Sequence, residues 1–217
     1  HNDIINCSFN GIQLVDCVDT TIADNLIKNS GDWGILLESS DTNYVTNNTL
    51  CNNTRGIYLW QAINNEVKHN DIYNNVEGIY FEGENARATT LNKIMDNTIH
   101  ENNNGISFTE YATSNMIINN TLENNNRYGI EIPFQQNKEN DDNAIYHNNF
   151  INNTWGNAYD ECTNIWDNGY PSGGNYWSDF DEPTEGATDG DGDGIVDSAY
   201  NIAGGSNTDD YPLISPK

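Results

Sequence analysis

The stretch NTLCNNTRGIYL, Asn48 to Leu59, decides the fold. Leu50 sits two residues after Asn48, and Gly56 opens a second run in which Ile57 and Leu59 flank Tyr58. Apolar–polar alternation of this kind marks short strands, and the Asn and Gly between them mark corners. The same words recur along the chain. GIQL stands at Gly11, GILL at Gly34, GIYL at Gly56, GIYF at Gly78, GISF at Gly105, GIEI at Gly129 and a degenerate GNAY at Gly156. Asn-x-apolar recurs from Asn2, Asn25, Asn48, Asn70, Asn97, Asn120 and Asn148. A third anchor lies just upstream of most of these: Ile22, Val45, Val67, Ile94, Ile117 and Ile145. The period is about 22–24 residues, with two longer units.

Three short strands per unit, with no helical segment, predict a triangular coil with one strand on each side. Stacking such coils pairs every strand in parallel with its counterparts above and below. Ile12, Ile35, Ile57, Ile79, Ile106 and Ile130 are then one interior stack. Leu14, Leu37, Leu59, Phe81, Phe108 and Ile132 are another. The expected fold is all-β, a right-handed parallel β-helix of about seven coils over residues 1–160 with a loop-rich C-terminal cap over 161–217. A leucine-rich-repeat horseshoe would need more Leu and a helical piece in each unit. Asparagine, about forty of 217 residues, fits the same scheme. The column Asn2, Asn25, Asn48, Asn70, Asn97, Asn120 is expected to stack its amides at a corner, each satisfying its neighbour.

A net charge of −25 excludes nucleic acid and anionic membrane surfaces as partners, because phosphate contacts need clustered Lys and Arg. No apolar run approaches the ~20 residues of a membrane helix. Partners are expected to be cations, glycans, neighbouring surface proteins or further copies of this chain.

The run NIWDNGYPSGGNYWSDF (Asn164–Phe180) is followed by DGDGDGIVDSAYNI (Asp189–Ile202) and DDYPL (Asp209–Leu213). With the NxIxNNxxGIxL repeats, these segments resemble the NosD-like, carbohydrate-binding and sugar-hydrolase (CASH) type of parallel β-helix repeat protein. The terminal run is similar to the closing segment of archaeal surface proteins of that group. The resemblance implies an extracellular, cell-surface setting. A copper site is not expected: His1, His69 and His147 share a column three coils apart, ~14 Å per step, and Met95 and Met116 are the only methionines.

Asp189, Asp191 and Asp193 occupy positions 1, 3 and 5 of a DxDxDG loop, Gly194 position 6, and Asp197 position 9. Together with the Ile195 carbonyl they supply the hard oxygens that Ca2+ takes. Tyr200 replaces the Glu that closes a helix–loop–helix site, so Asp179, Asp181 and Glu182 are candidates for further ligands. Trp166, Tyr170, Tyr176, Trp177 and Phe180 read better as a lid on the last coil than as a sugar platform. The first residues enter in register with the repeat, which leaves an edge open to further coils or to another molecule.

Cys7, Cys17, Cys51 and Cys162 are expected to be unpaired, since the coil spacing keeps Cys7 ~10 Å from Cys51. Asn6, Asn47, Asn52, Asn119 and Asn152 begin N-x-S/T sequons at expected corners. The longer units insert EGENARATT (Glu82–Thr90) and PFQQNKENDD (Pro133–Asp142) at one corner, and stacked insertions make walls. Tyr58, Trp60, Tyr80 and Phe134 are candidate carbohydrate-stacking residues there, with Tyr111 and Glu131 nearby. If the chain is an enzyme, Glu82 and Glu110 from adjacent coils are expected about 5–6 Å apart, as in retaining glycosidases, with Arg87 as charge partner. The favoured reading is an extracellular, calcium-stabilised structural or adhesive module without a recognised catalytic set. A polysaccharide-binding or polysaccharide-degrading protein is the alternative.

Overall fold

The computed structural model describes residues 2–217; His1, the head of the histidine column, lies outside them. Three parallel sheets wind into a solenoid of about eight turns. The first sheet runs from Asn2–Ile5 through Asn25–Lys28, Thr49–Cys51, Asp71–Tyr73, Thr98–His100, Thr121–Glu123 and Asn149–Ile151 to Tyr176–Trp177. The second holds Ile12–Val15, Trp33–Glu38, Arg55–Trp60, Glu77–Glu82, Asn104–Phe108, Tyr128–Ile132 and Gly156–Asp160. The third runs from Thr21–Ala23 to Ala144–Tyr146.

Register places the expected interior stacks on top of one another: Ile57 on Ile79, Ile79 on Ile106, Leu59 on Phe81 and Phe81 on Phe108. The last two rings stack at 4.5 Å with an interplanar angle of 4°, close to the spacing between strands. Ile35, Ile57, Ile79, Ile106 and Ile130 are fully buried. Each such side chain contributes about 1.5–3 kcal/mol of transfer free energy.

The corners explain the asparagine content. Asn70 donates its side-chain amide to Asn97 Oδ1 at 2.9 Å and to the Val45 carbonyl at 2.9 Å, and its backbone N–H meets the same Oδ1 at 3.0 Å. The ladder runs from Asn2 to Asn175. Two further ladders stand at the other corners. One is Asn43, Asn65, Asn92, Asn115, Asn143 and Asn164, and the other is Asn53, Asn75, Asn102, Asn125 and Asn153. The residue before each ladder Asn turns the chain in the left-handed region: Asn47 at φ 55°, His69 at 54°, Asp96 at 55°, Asn119 at 55°. Asn adopts that conformation more readily than most residues, hence the Asn-Asn pairs. Gly56 has a different reason: a Cβ there would lie 2.6 Å from the Gly78 carbonyl oxygen and 2.7 Å from Ile72 Cγ2.

The coil stack overlaps the C-terminal segment. Tyr176–Trp177 pairs with Asn149–Ile151, and Asn164 and Asn175 extend two ladders, so parallel pairing runs past residue 160. Trp177 lies on Phe150 at 4.4 Å and Tyr200 on Trp177 at 4.2 Å, while Trp166 is 1% exposed. These rings close the core at the last coil. Tyr170 does not join them and is 62% exposed.

Candidate functional site

The outer face of the second sheet carries the densest group of aromatic and ionisable side chains. Residues flanking the inward Ile and Leu/Phe positions point out of the sheet. Register stacks Trp33 on Arg55 and Arg55 on Glu77, with Asn104 next; beside them stand Leu36, Tyr58, Tyr80, Ser107 and Glu131. Tyr58 meets Trp33 edge-on at 5.2 Å and Tyr80 at 5.3 Å, and stacks with Trp60 at 6.4 Å. The Arg55 guanidinium lies 3.8 Å from the Tyr80 ring centre and 4.9 Å from that of Tyr58, within cation–π range. Tyr58 is only 5% exposed although it faces outward, because its neighbours cover it. Burial, then its hydroxyl bond to Glu82 at 2.7 Å, raises its pKa.

Three of the four proposed stacking residues therefore gather: Tyr58, Trp60 and Tyr80. Phe134 does not. It is 64% exposed on the second insertion and makes no ring contact among the described residues.

In the expected Glu82–Glu110–Arg87 set, each side chain has a partner outside the set, Glu82 accepting from the Tyr58 hydroxyl. Phe81 pairs with Phe108, so Glu82 is level with Thr109, while the Gly83 N–H donates to the Glu110 carbonyl. By the pattern that joins the Gln61 N–H to the Glu82 carbonyl where Trp60 pairs with Glu82, this bond sets Glu110 as well as Thr109 opposite Glu82. Glu110 pairs with Lys138 on the second insertion. Arg87 pairs with Asp41 at 2.7 Å and donates to the Gln61 carbonyl at 2.6 Å. Both insertions are tight hairpins, with Glu84 bridged to Arg87 and Gln135 to Lys138.

A different carboxyl pair lies on the same face. Ser107 donates to Glu77, and Asn104 donates to Glu131 at 2.6 Å. Arg127 pairs with Glu131 at 3.2 Å. Burial raises the Glu77 carboxyl above its usual range, and the charge of Glu131 adds to the shift, against the bonds from Ser107 and Asn104. The residues missed in the sequence are Arg55, Glu77, Asn104 and Ser107. Their one available signal was position, next to the Gly-Ile anchor on consecutive coils.

In the C-terminal segment, carboxylate oxygens of Asp189, Asp191 and Asp193 lie within 4.8 Å of one another. They form the one such group of three or more potential metal ligands among the described residues. Asp189 accepts from the N–H groups of Gly192 at 2.7 Å and Gly194 at 3.0 Å, and these bonds, the one from Gly194 foremost, hold its carboxyl below the usual range. Gly192 and Gly194 have φ +78° and +91°, so the tight loop needs glycine there. Asp197 faces the start of the loop and accepts from Gly190 N–H at 2.9 Å. Ile195 is buried against Tyr176 and Leu213. The candidate further ligands are otherwise engaged. Asp179 meets Asn157 and Tyr200, Asp181 meets Tyr176, and Glu182 forms a capping box with Glu185. A three-carboxylate loop with free lone pairs suits Ca2+.

The histidines are apart: His100 bonds Asp71 at 3.0 Å, and His147 bonds the Ser172 carbonyl at 2.9 Å. Cys51 is buried, and Cys7, Cys17 and Cys162 are half-buried and unpaired. No helix among the described residues is long and apolar enough to cross a membrane.

Solved structures with a similar course include a double mutant of the periplasmic alginate epimerase AlgG, at 20% identity and TM-score 0.58 over 72% of this chain and 36% of that one. XylC in complex with xylose matches at 18% identity and TM-score 0.51, over 66% of this chain and 21% of that one. At these identities the likeness is one of fold, and the chain spans about a third or less of either protein. No curated protein matches the sequence significantly. Residues 1–154 match the family described as the right-handed β-helix region; with its parallel ladders and stacked interior, the chain belongs to that family.

Proposed function

We propose that this chain is an extracellular, calcium-stabilised adhesive module that holds polysaccharide along the outer face of its second sheet. The observation that carries the reading is the Trp33–Tyr58–Trp60–Tyr80 cluster with Arg55 laid over it. Aromatic faces stack on the C–H faces of sugars, and a guanidinium with no carboxylate partner offers hydrogen bonds to ring substituents. Among the described residues Arg55 has no ion pair. An extended glycan advances by about one sugar for each coil, since strands are ~4.8 Å apart, and so meets equivalent positions in succession. The similar structures titled for an alginate epimerase and for a xylose complex are consistent with a polysaccharide ligand. The NosD-like resemblance favours placement at an archaeal cell surface.

Affinity electrophoresis through gels containing soluble acidic and neutral polysaccharides tests the binding. At least one polymer should retard the protein, and Trp60→Ala with Tyr80→Ala should weaken that retardation about tenfold or more. Both side chains point outward, so the core is unaffected. Migration unchanged by every polymer would remove the reading. The calcium part is tested separately: chelation, or Asp189→Asn with Asp193→Asn, should lower the melting temperature of the C-terminal segment. A Tm indifferent to calcium in the wild type would remove that part alone.

A further inference from the structure

We propose that Glu77 and Glu131 form a carboxyl pair that hydrolyses a glycosidic bond of the polysaccharide held on this face, with Glu77 as proton donor and Glu131 as nucleophile. The inference rests on the glycan reading and gives that face a reaction.

The two carboxyl groups flank one residue, Asn104. Asn104 is 1% exposed. Its Oδ1 accepts from the Tyr128 N–H at 3.3 Å, which fixes which end of the side chain is nitrogen. That nitrogen donates to Glu131 at 2.6 Å, and Glu77 is the register partner of Asn104 on the preceding coil. Ser107, which donates to Glu77, is in turn the register partner of Glu131, so the two carboxyl groups face each other across one intervening strand. Acid and nucleophile are separated by roughly 5–5.5 Å in retaining glycoside hydrolases. Ser107, 5% exposed, holds Glu77 from the other side. Three coils thus fix the pair: Glu77 from one, Asn104 and Ser107 from the next, Glu131 from the third.

The two environments differ as acid and nucleophile require. Glu131 has the Arg127 guanidinium at 3.2 Å. Glu77 has no cation at ion-pair distance among the described residues, and burial, the largest influence, favours its neutral form against the more distant charge of Arg55 on the preceding coil. Divergent surroundings for paired carboxyls are what assign the two roles. Aromatic rings stand on both sides along the solenoid axis. Tyr58 and Tyr80 precede the pair, while Tyr128 and Tyr159, 5.3 Å apart, follow it with Trp155. A chain lying along the sheet would stack on both sides of the bond to be cut.

In the first step the Glu77 proton passes to the glycosidic oxygen as its bond to the anomeric carbon breaks, and a Glu131 oxygen bonds to that carbon. In the second, Glu77 takes a proton from water, whose oxygen displaces Glu131. The sum is one water added across one glycosidic bond.

The test uses a panel of 4-nitrophenyl glycosides (glucoside, xyloside, mannoside, galactoside and glucuronide, both anomers) together with any polymer that retards the protein. Nitrophenolate and new reducing ends are measured. The wild type should release both. Glu131→Gln should lower each about a thousandfold, and azide should restore turnover in Glu131→Ala with formation of a glycosyl azide. Glu77→Gln keeps the size and the bond to Ser107. It should abolish polymer cleavage, spare the nitrophenyl substrates in part, and flatten the alkaline limb of the pH profile. A merely structural role would not produce that split. Polymer bound but never cut by the wild type, or cleavage that survives both substitutions, overturns the pair and leaves the binding reading standing. Absence of both binding and cleavage removes the two together.

Discussion

The unit of this protein's stability is the corner asparagine. Asn97 is 2% exposed and sits in mid-ladder, donating to Asn120 Oδ1 and to the Val67 carbonyl while accepting from Asn70. Replacing it by Ala removes the acceptor that the Asn70 backbone N–H and one of its side-chain amide hydrogens share, and the amide donor to the Val67 carbonyl, in a dry interior, a cost of about 2–4 kcal/mol. Urea unfolding should show the midpoint of Asn97→Ala well below that of the wild type. Equal midpoints would mean that the ladder is not a support. The adjacent Asp96 is exposed and left-handed, so its role is conformational rather than hydrogen bonding. The same division separates the sequon residues Asn47, Asn52, Asn119 and Asn152, all exposed at left-handed corners, from the buried ladder members that follow them.

At the scale of the strand, the second sheet joins an apolar inner row to a functional outer row through one glycine per coil. A Cβ on Gly78 would meet the Gly105 carbonyl oxygen at 2.4 Å and Ile99 Cγ2 at 2.8 Å. The first contact is with backbone, which cannot step aside as a side-chain end can. Gly78→Ala should cost about 1–3 kcal/mol, and it should also weaken polysaccharide retardation, because Glu77 adjoins the displaced residue. A variant as stable as the wild type in a urea titration would show that the coils can separate locally. The carboxyl–amide–carboxyl group also belongs to this scale. The motif GIxL marks each strand, but nothing in a single strand says that the residue before Gly on one coil stands beside the amide that an outward residue two coils on accepts from. Glu110 makes the same point in reverse. Glu110 follows Gly105 by five residues and Glu82 follows Gly78 by four, yet the bond from the Gly83 N–H sets the two opposite, and their side chains part to Lys138 and Tyr58.

Over the whole molecule, the C-terminal segment closes the solenoid with buried aromatic rings and a buried acid. Asp209 accepts from Asn175 N–H at 2.7 Å, Trp177 Nε1 at 2.9 Å and Tyr211 N–H at 3.1 Å. These donors favour the anion, yet burial outweighs them and pushes the carboxyl up to about 7. An unfolded Asp titrates near ~3.9. Between those values the folded chain binds the proton that the unfolded chain has released. The stabilisation is therefore complete below about pH 4 and is lost as pH rises towards 7, by at most about 4 kcal/mol. Melting curves of wild type and Asp209→Asn from pH 4 to 8 should show the wild type losing ground to the variant across that window. A constant Tm difference would contradict the assignment. The comparison with the variant matters because a charge of −25 makes the whole molecule less stable as its acids ionise.

The sequence by itself determined the period, the strand at each side, the interior stacks from Ile12 to Ile130 and one of three asparagine ladders. All of these repeat at fixed spacing, and a side chain that repeats every coil must stack on its own counterpart. The other two ladders were present in the same form, Asn43-Tyr44-Val45 and Asn65-Glu66-Val67 among them, and follow from the same rule once the corners are known. The DxDxDG loop was legible because its carboxylates are neighbours in the chain. Tertiary structure alone decided which outward residues meet. Lateral contacts between coils depend on register to the residue, and a slip of one turns a side chain to the opposite face. It therefore gave Glu82 to Tyr58, Glu110 to Lys138 and Arg87 to Asp41, and set Glu131 on the Asn104 amide beside Glu77.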